Sequence, residues 1–167
     1  MSTIAVVSLL AGCGGASVGE PAAEPVSQLT FHPCDGFGPD ALAASGIDDT
    51  EPVKFEDREI PFQRWACSYF SYDPYFSVVV SSNGRLLSET ENDTRLTLME
   101  DTQIAGHRTL LHDFPGGLAC VASVDFDTAV LEIMVGHKQV VVGTTEQACP
   151  LALKVARDLG PYFPERL

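Results

Sequence analysis

The sequence predicts a single domain of the α+β class: an antiparallel sheet of about five or six strands, a short N-terminal helix and a longer C-terminal helix. Three observations lead to this prediction. Aromatic and β-branched residues form two runs, WACSYFSY at 65–72 and YFSVVVSS at 75–82. A second pair of apolar runs follows at 118–124 and 129–135. The last part of the chain has helical apolar spacing, and strands and helices do not alternate before it.

The first helix is predicted over residues 38–45. Leu42 and its alanine neighbours share one face over two turns, and Gly46 is a residue type that ends helices. The next segment, 53–60, alternates polar and apolar residues and is therefore predicted as an edge strand.

Turn residues join the central strands. Asp73-Pro74 joins the first two runs into a hairpin, and residues 125–128 do the same for the second pair. The acidic segment 86–102 fits either a helix or a loop, whereas residues 103–112 are predicted as a strand.

The C-terminal helix is predicted over residues 146–160, after an apolar segment at 139–142 that is a candidate for a further strand. Pro150 is expected in or near the first turn, where its missing N–H costs no helical hydrogen bond, and Gly160 stops the helix. The apolar residues of one face are spaced by three or four: Ala148, Leu151, Val155 and Leu159.

The charge balance excludes one class of partner. The chain has 10 Lys and Arg against 23 Asp and Glu, a net charge of −13. Nucleic acids bind to clustered basic residues, so we expect no nucleic-acid partner. Electrostatic docking on anionic lipid is disfavoured for the same reason. An acidic surface leaves a cation or a basic protein open as a partner.

The N-terminus is predicted to be a targeting segment. Residues 4–12 are almost entirely apolar, but nine residues are too few to span a hydrocarbon core, which takes about 20. Residues 1–12 are therefore interpreted as a signal peptide. Residues 1–3 lack Lys and Arg, so we expect the natural leader to extend further upstream. Residues 13–29 are rich in Gly, Ala, Pro and Glu and are predicted as a flexible tether before the domain at 30–167.

The segment Leu10-Ala11-Gly12-Cys13 resembles the bacterial lipobox. The resemblance implies cleavage before Cys13, a diacylglyceryl group on its sulfur and acylation of its new amino group. Two or more acyl chains give stable anchoring. The sequence therefore predicts a lipoprotein, attached through Cys13 to the extracytoplasmic face of the cell membrane.

Four cysteines remain when Cys13 is set aside, and outside the cytoplasm they are free to form disulfides. Sequence alone allows three pairings, of which we favour the one that joins neighbours, Cys34 with Cys67 and Cys120 with Cys149. Each loop of about 30 residues would then stabilise the fold by about 3–4 kcal/mol. Zinc sites use close pairs such as C-x₂-C, which the sequence lacks, so we predict no metal and no other cofactor.

No local motif predicts a catalytic residue. Residues 15–19 match G-x-S-x-G, but the tether offers neither the strand nor the helix of a nucleophile elbow. His107 and His112 would face opposite sides of a strand, and none of the histidines lies in a metal-binding motif. A triad assembled across the fold stays open. We therefore predict that the protein is not an enzyme, with a small extracytoplasmic hydrolase as the alternative.

An aromatic cluster is the remaining candidate for a binding surface. Six aromatic residues lie within residues 65–76, and on a hairpin alternate side chains face outward unless a helix covers them. The alternative is that they form core and cross-strand pairs. The residues selected as a possible ligand or partner surface are Trp65, Tyr69, Tyr72 and Tyr75.

Several short motifs occur in a defined order along residues 30–165. They are Pro33-Cys34-Asp35, Cys67-Ser68-Tyr69, Ile104-Ala105-Gly106-His107, Cys120-Val121 and Ala148-Cys149-Pro150. Together with the lipobox they resemble the actinobacterial lipoproteins of the DUF3558 family. That family is similar to the extracellular sensor domains of some mycobacterial receptor kinases. The resemblance implies a fold and a location but no mechanism.

These observations lead to one functional hypothesis. We expect a membrane-anchored, non-catalytic binding or interaction module whose partner is an envelope lipid, glycan or protein. A purely structural envelope protein is an alternative besides the hydrolase.

Overall fold

The computed structural model describes residues 28–48, 51–72, 75–116, 119–136 and 145–167. The predicted signal peptide and lipobox, nearly all of the predicted tether, the Asp73-Pro74 turn and the candidate strand at 139–142 lie outside these ranges. Within them, no helix is long and apolar enough to cross a bilayer.

The described residues form one antiparallel sheet of seven strands, so the predicted α+β class is confirmed and the sheet is larger than predicted. The strands lie in the order β1-β2-β3-β7-β6-β5-β4. In chain order they are β1 (Val53–Lys54), β2 (Arg64–Tyr72), β3 (Tyr75–Asn83), β4 (Thr97–Ile104), β5 (His107–Asp113), β6 (Ala119–Asp125) and β7 (Val130–Gly136).

Both predicted hairpins are present. β2 and β3 pair from Arg64 opposite Asn83 to Tyr72 opposite Tyr75, and β6 and β7 pair along their whole length. Each run was identified because apolar and β-branched residues dominate it, and such side chains fit a pleated, buried surface.

The extra strand comes from the region that the sequence left ambiguous. Residues 103–112 do not form one strand, because the chain turns at Ala105 and Gly106, whose φ angles are 51° and 89°. Two consecutive positive φ angles are typical of the tight turn that joins two hairpin strands. The predicted strand is therefore divided between β4 and β5.

The first strand is shorter than predicted. β1 contains two residues rather than the whole of 53–60. Beyond it, residues 58–64 form a loop that is closed by an isolated antiparallel bridge between Arg58 and Arg64.

The predicted helices are confirmed, with two additions. The helices are α1 (Pro33–Gly36), α2 (Pro39–Ala44), α3 (Leu87–Glu91) and α4 (Thr145–Leu159), and a short 3₁₀ turn follows at Gly160–Tyr162. Helix α2 corresponds to the predicted first helix and α4 to the predicted last one. Pro150 is the sixth residue of α4, slightly deeper than expected, so one helical hydrogen bond is missing there.

The two faces of the sheet differ in composition. The first face packs beneath α4 and is apolar, with Tyr69, Val78, Val80, Ile133 and Val135 among its fully buried residues. The second face carries the alternate residues, many of them small or polar: Ala66, Ser68, Val79, Ser81, Asn83, Val121, Ser123, Glu132 and Met134. Helix α3 covers part of it, where Leu87 clusters with Leu110 and Val130.

Two disulfides hold the helices against the first face, in the pairing that the sequence favoured. Cys34 of α1 is bonded to Cys67 of β2, with their Cα atoms 5.2 Å apart. Cys120 of β6 is bonded to Cys149 of α4, with a Cα separation of 4.9 Å. Both separations lie in the usual disulfide range.

Candidate functional site: a pocket on the second face

The structure does not bring Trp65, Tyr69 and Tyr72 together into one surface, and the side chain of Tyr75 lies outside the described part of the chain. Tyr69 is fully buried in the core, so the prediction that it belongs to a binding surface is wrong. Trp65 is half-buried and stacks on His32, with ring centroids 5.6 Å apart. Tyr72 is 63% exposed and pairs through its backbone with Tyr75 at the end of the hairpin.

Tyr69 is buried because it faces α1 and the apolar core rather than solvent. Its hydroxyl donates a hydrogen bond to the carbonyl of Pro33. Burial raises the pKa of Tyr69 well above its ordinary value, with the Asp35 charge as a smaller cause. For this residue, the alternative of a core role is confirmed.

The histidines of β5 face opposite sides of the sheet, as predicted. His107 Nδ1 lies 2.7 Å from the carbonyl oxygen of Asp125, and its ring stacks on Phe126. His112 is buried on the second face, and this burial lowers its pKa. Among the described residues, no three His, Cys, Asp or Glu side chains are grouped closely enough to hold a metal ion.

A cavity of about 540 Å³ lies on the second face of the sheet. Its floor is formed by strands β3, β6 and β7, and its walls come from the loop between β1 and β2, the residues after α3 and the end of β5. The floor residues are Val79, Ser81, Asn83, Val121, Glu132 and Met134. The wall residues include Arg58, Ile60, Pro61, Phe62, Arg85, Arg95, Leu96, Phe114 and Pro115.

Two arginines stand side by side at one end of this pocket. The Arg58 N–H donates to the Arg64 carbonyl at 3.0 Å, and the Arg64 N–H donates to the Arg58 carbonyl at 2.8 Å. Residues that exchange both hydrogen bonds lie directly opposite each other, so their side chains leave the same face. Both arginines line the pocket.

The loop between these arginines is fixed at its base by Gln63. The Gln63 side-chain oxygen accepts a hydrogen bond from the Leu29 N–H at 2.9 Å, and its carbonyl accepts one from the Gly84 N–H at 2.8 Å. The apolar residues Ile60, Pro61 and Phe62 are thereby held over the pocket.

The two carboxylates of the pocket are already paired with other arginines. Glu132 accepts a hydrogen bond from Arg85, whose guanidinium carbon lies 5.2 Å from the centre of the Phe62 ring. Asp93 accepts two from the Arg95 guanidinium, at 2.9 and 2.7 Å, and one from the Arg95 N–H at 3.0 Å, and this pairing lowers the pKa of Asp93 to about 2. The pocket therefore has an excess of two positive charges in a chain whose net charge is −13.

The strand register gives the floor a gradient of polarity. Arg64 and Asn83 are opposite each other at one end, and Ser81 opposite Glu132 forms the next row. Further along the floor, Val79, Met134 and Val121 form an apolar row. The opposite end of the pocket lies beyond this row, where the Phe114 N–H donates a hydrogen bond to the Ala119 carbonyl.

The sequence alone does not reveal this pocket, because its residues come from segments that are far apart in the chain. Its one local signal is the segment REIPFQR at 58–64, in which Arg58 and Arg64 flank the apolar residues Ile60, Pro61 and Phe62. That pattern indicates a site only when the chain is known to turn back on itself between the two arginines.

These features define a disulfide-bonded α+β domain with one face closed by a helix and a pocket of ligand size on the other. The chain belongs to the family described as protein of unknown function DUF3558, whose family model matches residues 8–162. No curated protein and no solved structure matches it significantly.

Proposed function

We propose that this protein is a cell-envelope lipoprotein, anchored through Cys13, that acts as a non-catalytic binding module through the pocket on the second face. The observation that carries the binding role is the pocket itself. Its volume of about 540 Å³ lies within the range of small-molecule sites, and apolar residues surround a few charged groups, as is usual in such sites.

The sequence supports the anchor. The lipobox-like Leu10-Ala11-Gly12-Cys13 follows the apolar residues 4–12, and residues 13–29 have the composition of a flexible tether. The two disulfides of the domain support an oxidising compartment, since such bonds are rare in the cytosol.

The polar groups of the pocket support binding rather than catalysis. Glu132 and Asp93 each accept hydrogen bonds from an arginine, and for Asp93 this pairing lowers the pKa and favours the ionised form. An arginine side chain carries five N–H donors and no acceptor, so Arg58 and Arg64 are suited to donate hydrogen bonds to a ligand.

The anchor is tested by the substitution Cys13→Ala in the native host. We expect the variant to leave the membrane fraction and to lose incorporation of labelled palmitate, because the acylated sulfur is absent. Ser17→Ala, which changes the tether without changing the lipobox, serves as the matched control and should behave as the wild type. Continued labelling and membrane association of Cys13→Ala would contradict the anchor.

The binding role is tested by native mass spectrometry of protein released from the envelope. We expect the wild type to carry a co-purified small molecule. Val79→Phe should lose it, because the larger side chain fills the pocket floor. Val53→Phe makes the same change on the exposed strand β1 and should retain it. Wild type without any bound molecule, or Val79→Phe with the same molecule, would count against the binding role.

A further inference from the structure

The arginine pair of the pocket lacks a partner within the described residues. Like charges placed directly opposite each other on two strands destabilise the pairing. Arg58 and Arg64 have this arrangement, and no described carboxylate forms an ion pair with either of them. A bound anion would remove this repulsion, and two guanidinium groups are well suited to the oxygens of a carboxylate or a phosphate.

Carboxylates that could neutralise the pair are already bonded elsewhere. Glu59, inside the loop, accepts a hydrogen bond from the Gln63 amide at 2.8 Å. Asp57, just before it, forms ion pairs with His32 and Lys54, each at 3.2 Å. Glu132 and Asp93 bind Arg85 and Arg95, as described above. The positive charge of Arg58 and Arg64 therefore remains available to a ligand.

The rest of the pocket is suited to an apolar chain. From the row of Asn83 to the row of Val79 the strand advances four residues, about 13 Å at the usual rise. Beyond the polar row of Ser81 and Glu132, the floor consists of Val79, Met134 and Val121, with Leu96 and Phe114 on the walls. A ligand that follows the floor from the arginine pair would place its far part on these apolar side chains.

We propose that the pocket binds an anionic amphiphile, with its carboxylate or phosphate head group held by Arg58 and Arg64 and its acyl chain lying over Val79, Met134 and Val121 towards Phe114. This inference rests on the proposed binding function and specifies its ligand class. Since the molecule as a whole is acidic, the head group is selected by this local excess of positive charge and not by the net charge of the chain.

The test uses four ligands that have the same alkyl chain and differ in the head group. Dodecanoate, dodecyl phosphate, dodecanol and dodecyltrimethylammonium are titrated calorimetrically, below their micellar concentrations, into the full chain carrying Cys13→Ala. We expect at least one anion to bind about tenfold or more tightly than dodecanol, since hydrogen bonds to charged groups contribute that much. The cation should bind more weakly than dodecanol. Preference for the carboxylate indicates a fatty-acid-like ligand, and preference for the phosphate indicates a phospholipid-like one.

Substitutions separate the head group from the chain. Arg58→Gln and Arg64→Gln should each weaken anion binding by about tenfold and leave dodecanol binding unchanged. Arg166→Gln, an exposed arginine outside the pocket, is the matched control and should leave all affinities unchanged. Met134→Gln should weaken the anions and dodecanol to the same extent. Thermal unfolding of each variant verifies that it is folded.

Three outcomes would overturn the inference. Equal affinity for dodecanol and both anions would show that the arginine pair does not bind the head group. Unchanged anion affinity in both arginine variants would show the same. Absence of binding by all four ligands would also reject an amphiphile. The proposed function would survive each of these results if the co-purified molecule were still lost in Val79→Phe, so the two proposals fail separately.

Discussion

The hydroxyl of Tyr69, in β2, donates a hydrogen bond to the backbone carbonyl of Pro33, in α1. The contact joins the two elements that the Cys34–Cys67 disulfide also links. It places a phenol inside the apolar core and gives its only polar atom a partner, as buried tyrosines require.

Tyr69→Phe is expected to lower the free energy of unfolding by about 1–2 kcal/mol near neutral pH, because the Pro33 carbonyl loses its buried donor. Burial raises the pKa of Tyr69 above its ordinary value, so between about pH 10 and the folded pKa only the unfolded chain releases this proton. The stability of the wild type should therefore fall as pH rises above about 10, and that of Tyr69→Phe should fall less steeply. Urea unfolding followed by Trp65 fluorescence measures both slopes, and parallel slopes would contradict the burial of the phenol.

Gly36→Ala is expected to destabilise the domain by about 1–3 kcal/mol, because a side chain at this position overlaps the ring of Phe31. That ring cannot retreat freely, since it packs edge-on against Phe37 with centroids 5.1 Å apart. Gly38→Ala, two residues on, is the matched control: no atom lies within 4 Å of the added methyl group. Thermal unfolding of both variants provides the comparison. A Gly36→Ala protein as stable as Gly38→Ala would show that the contact is not tight.

The double substitution Cys120→Ala with Cys149→Ala is expected to lower the free energy of unfolding by about 3–4 kcal/mol, because the 29-residue loop is no longer closed in the unfolded chain. Cys34→Ala with Cys67→Ala opens a loop of similar length, 33 residues, and should cost about the same in the chain-entropy model. Replacing both cysteines of a pair avoids a free thiol. Urea unfolding gives the two values, and a loss below about 1 kcal/mol for either pair would contradict this account.

Strong local patterns made part of the fold predictable. The β2–β3 hairpin and helix α4 were predicted to within one or two residues, because their apolar residues repeat with the period of a strand or a helix. Strand β4 was not identified. It is an edge strand with several exposed residues and an irregular register between Leu98 and Glu100, so its sequence lacks a clear alternation.

The pocket was not predictable, for a different physical reason. Its charge excess depends on which arginine pairs with which carboxylate, and these partners lie far apart in the chain, as with Arg85 and Glu132. The aromatic cluster was conspicuous in the sequence, but a residue such as Tyr69 is buried by a helix that comes from another part of the chain. The spacing of residues along one strand shows which side chains share a face of the sheet, but it does not indicate which face a helix covers.

The Arg85–Glu132 pair is expected to contribute measurably to stability, unlike an exposed pair. Both side chains are more than four-fifths buried, and Glu132 lies on the second face opposite the buried Ser81 and Ser123. Arg85→Met leaves this carboxylate without its cation and should lower the free energy of unfolding by about 2–3 kcal/mol. The double variant Arg85→Met with Glu132→Gln should lose less stability than the two single variants added together.

Lys154→Met and Asp158→Asn provide the matched cycle on an exposed i,i+4 pair, for which we expect a coupling energy below about 0.5 kcal/mol. Urea unfolding of the wild type and the six variants gives both coupling energies. Equal couplings would mean that burial on the second face does not strengthen the Arg85–Glu132 interaction, and that Glu132 is not neutralised within the pocket as the charge excess requires.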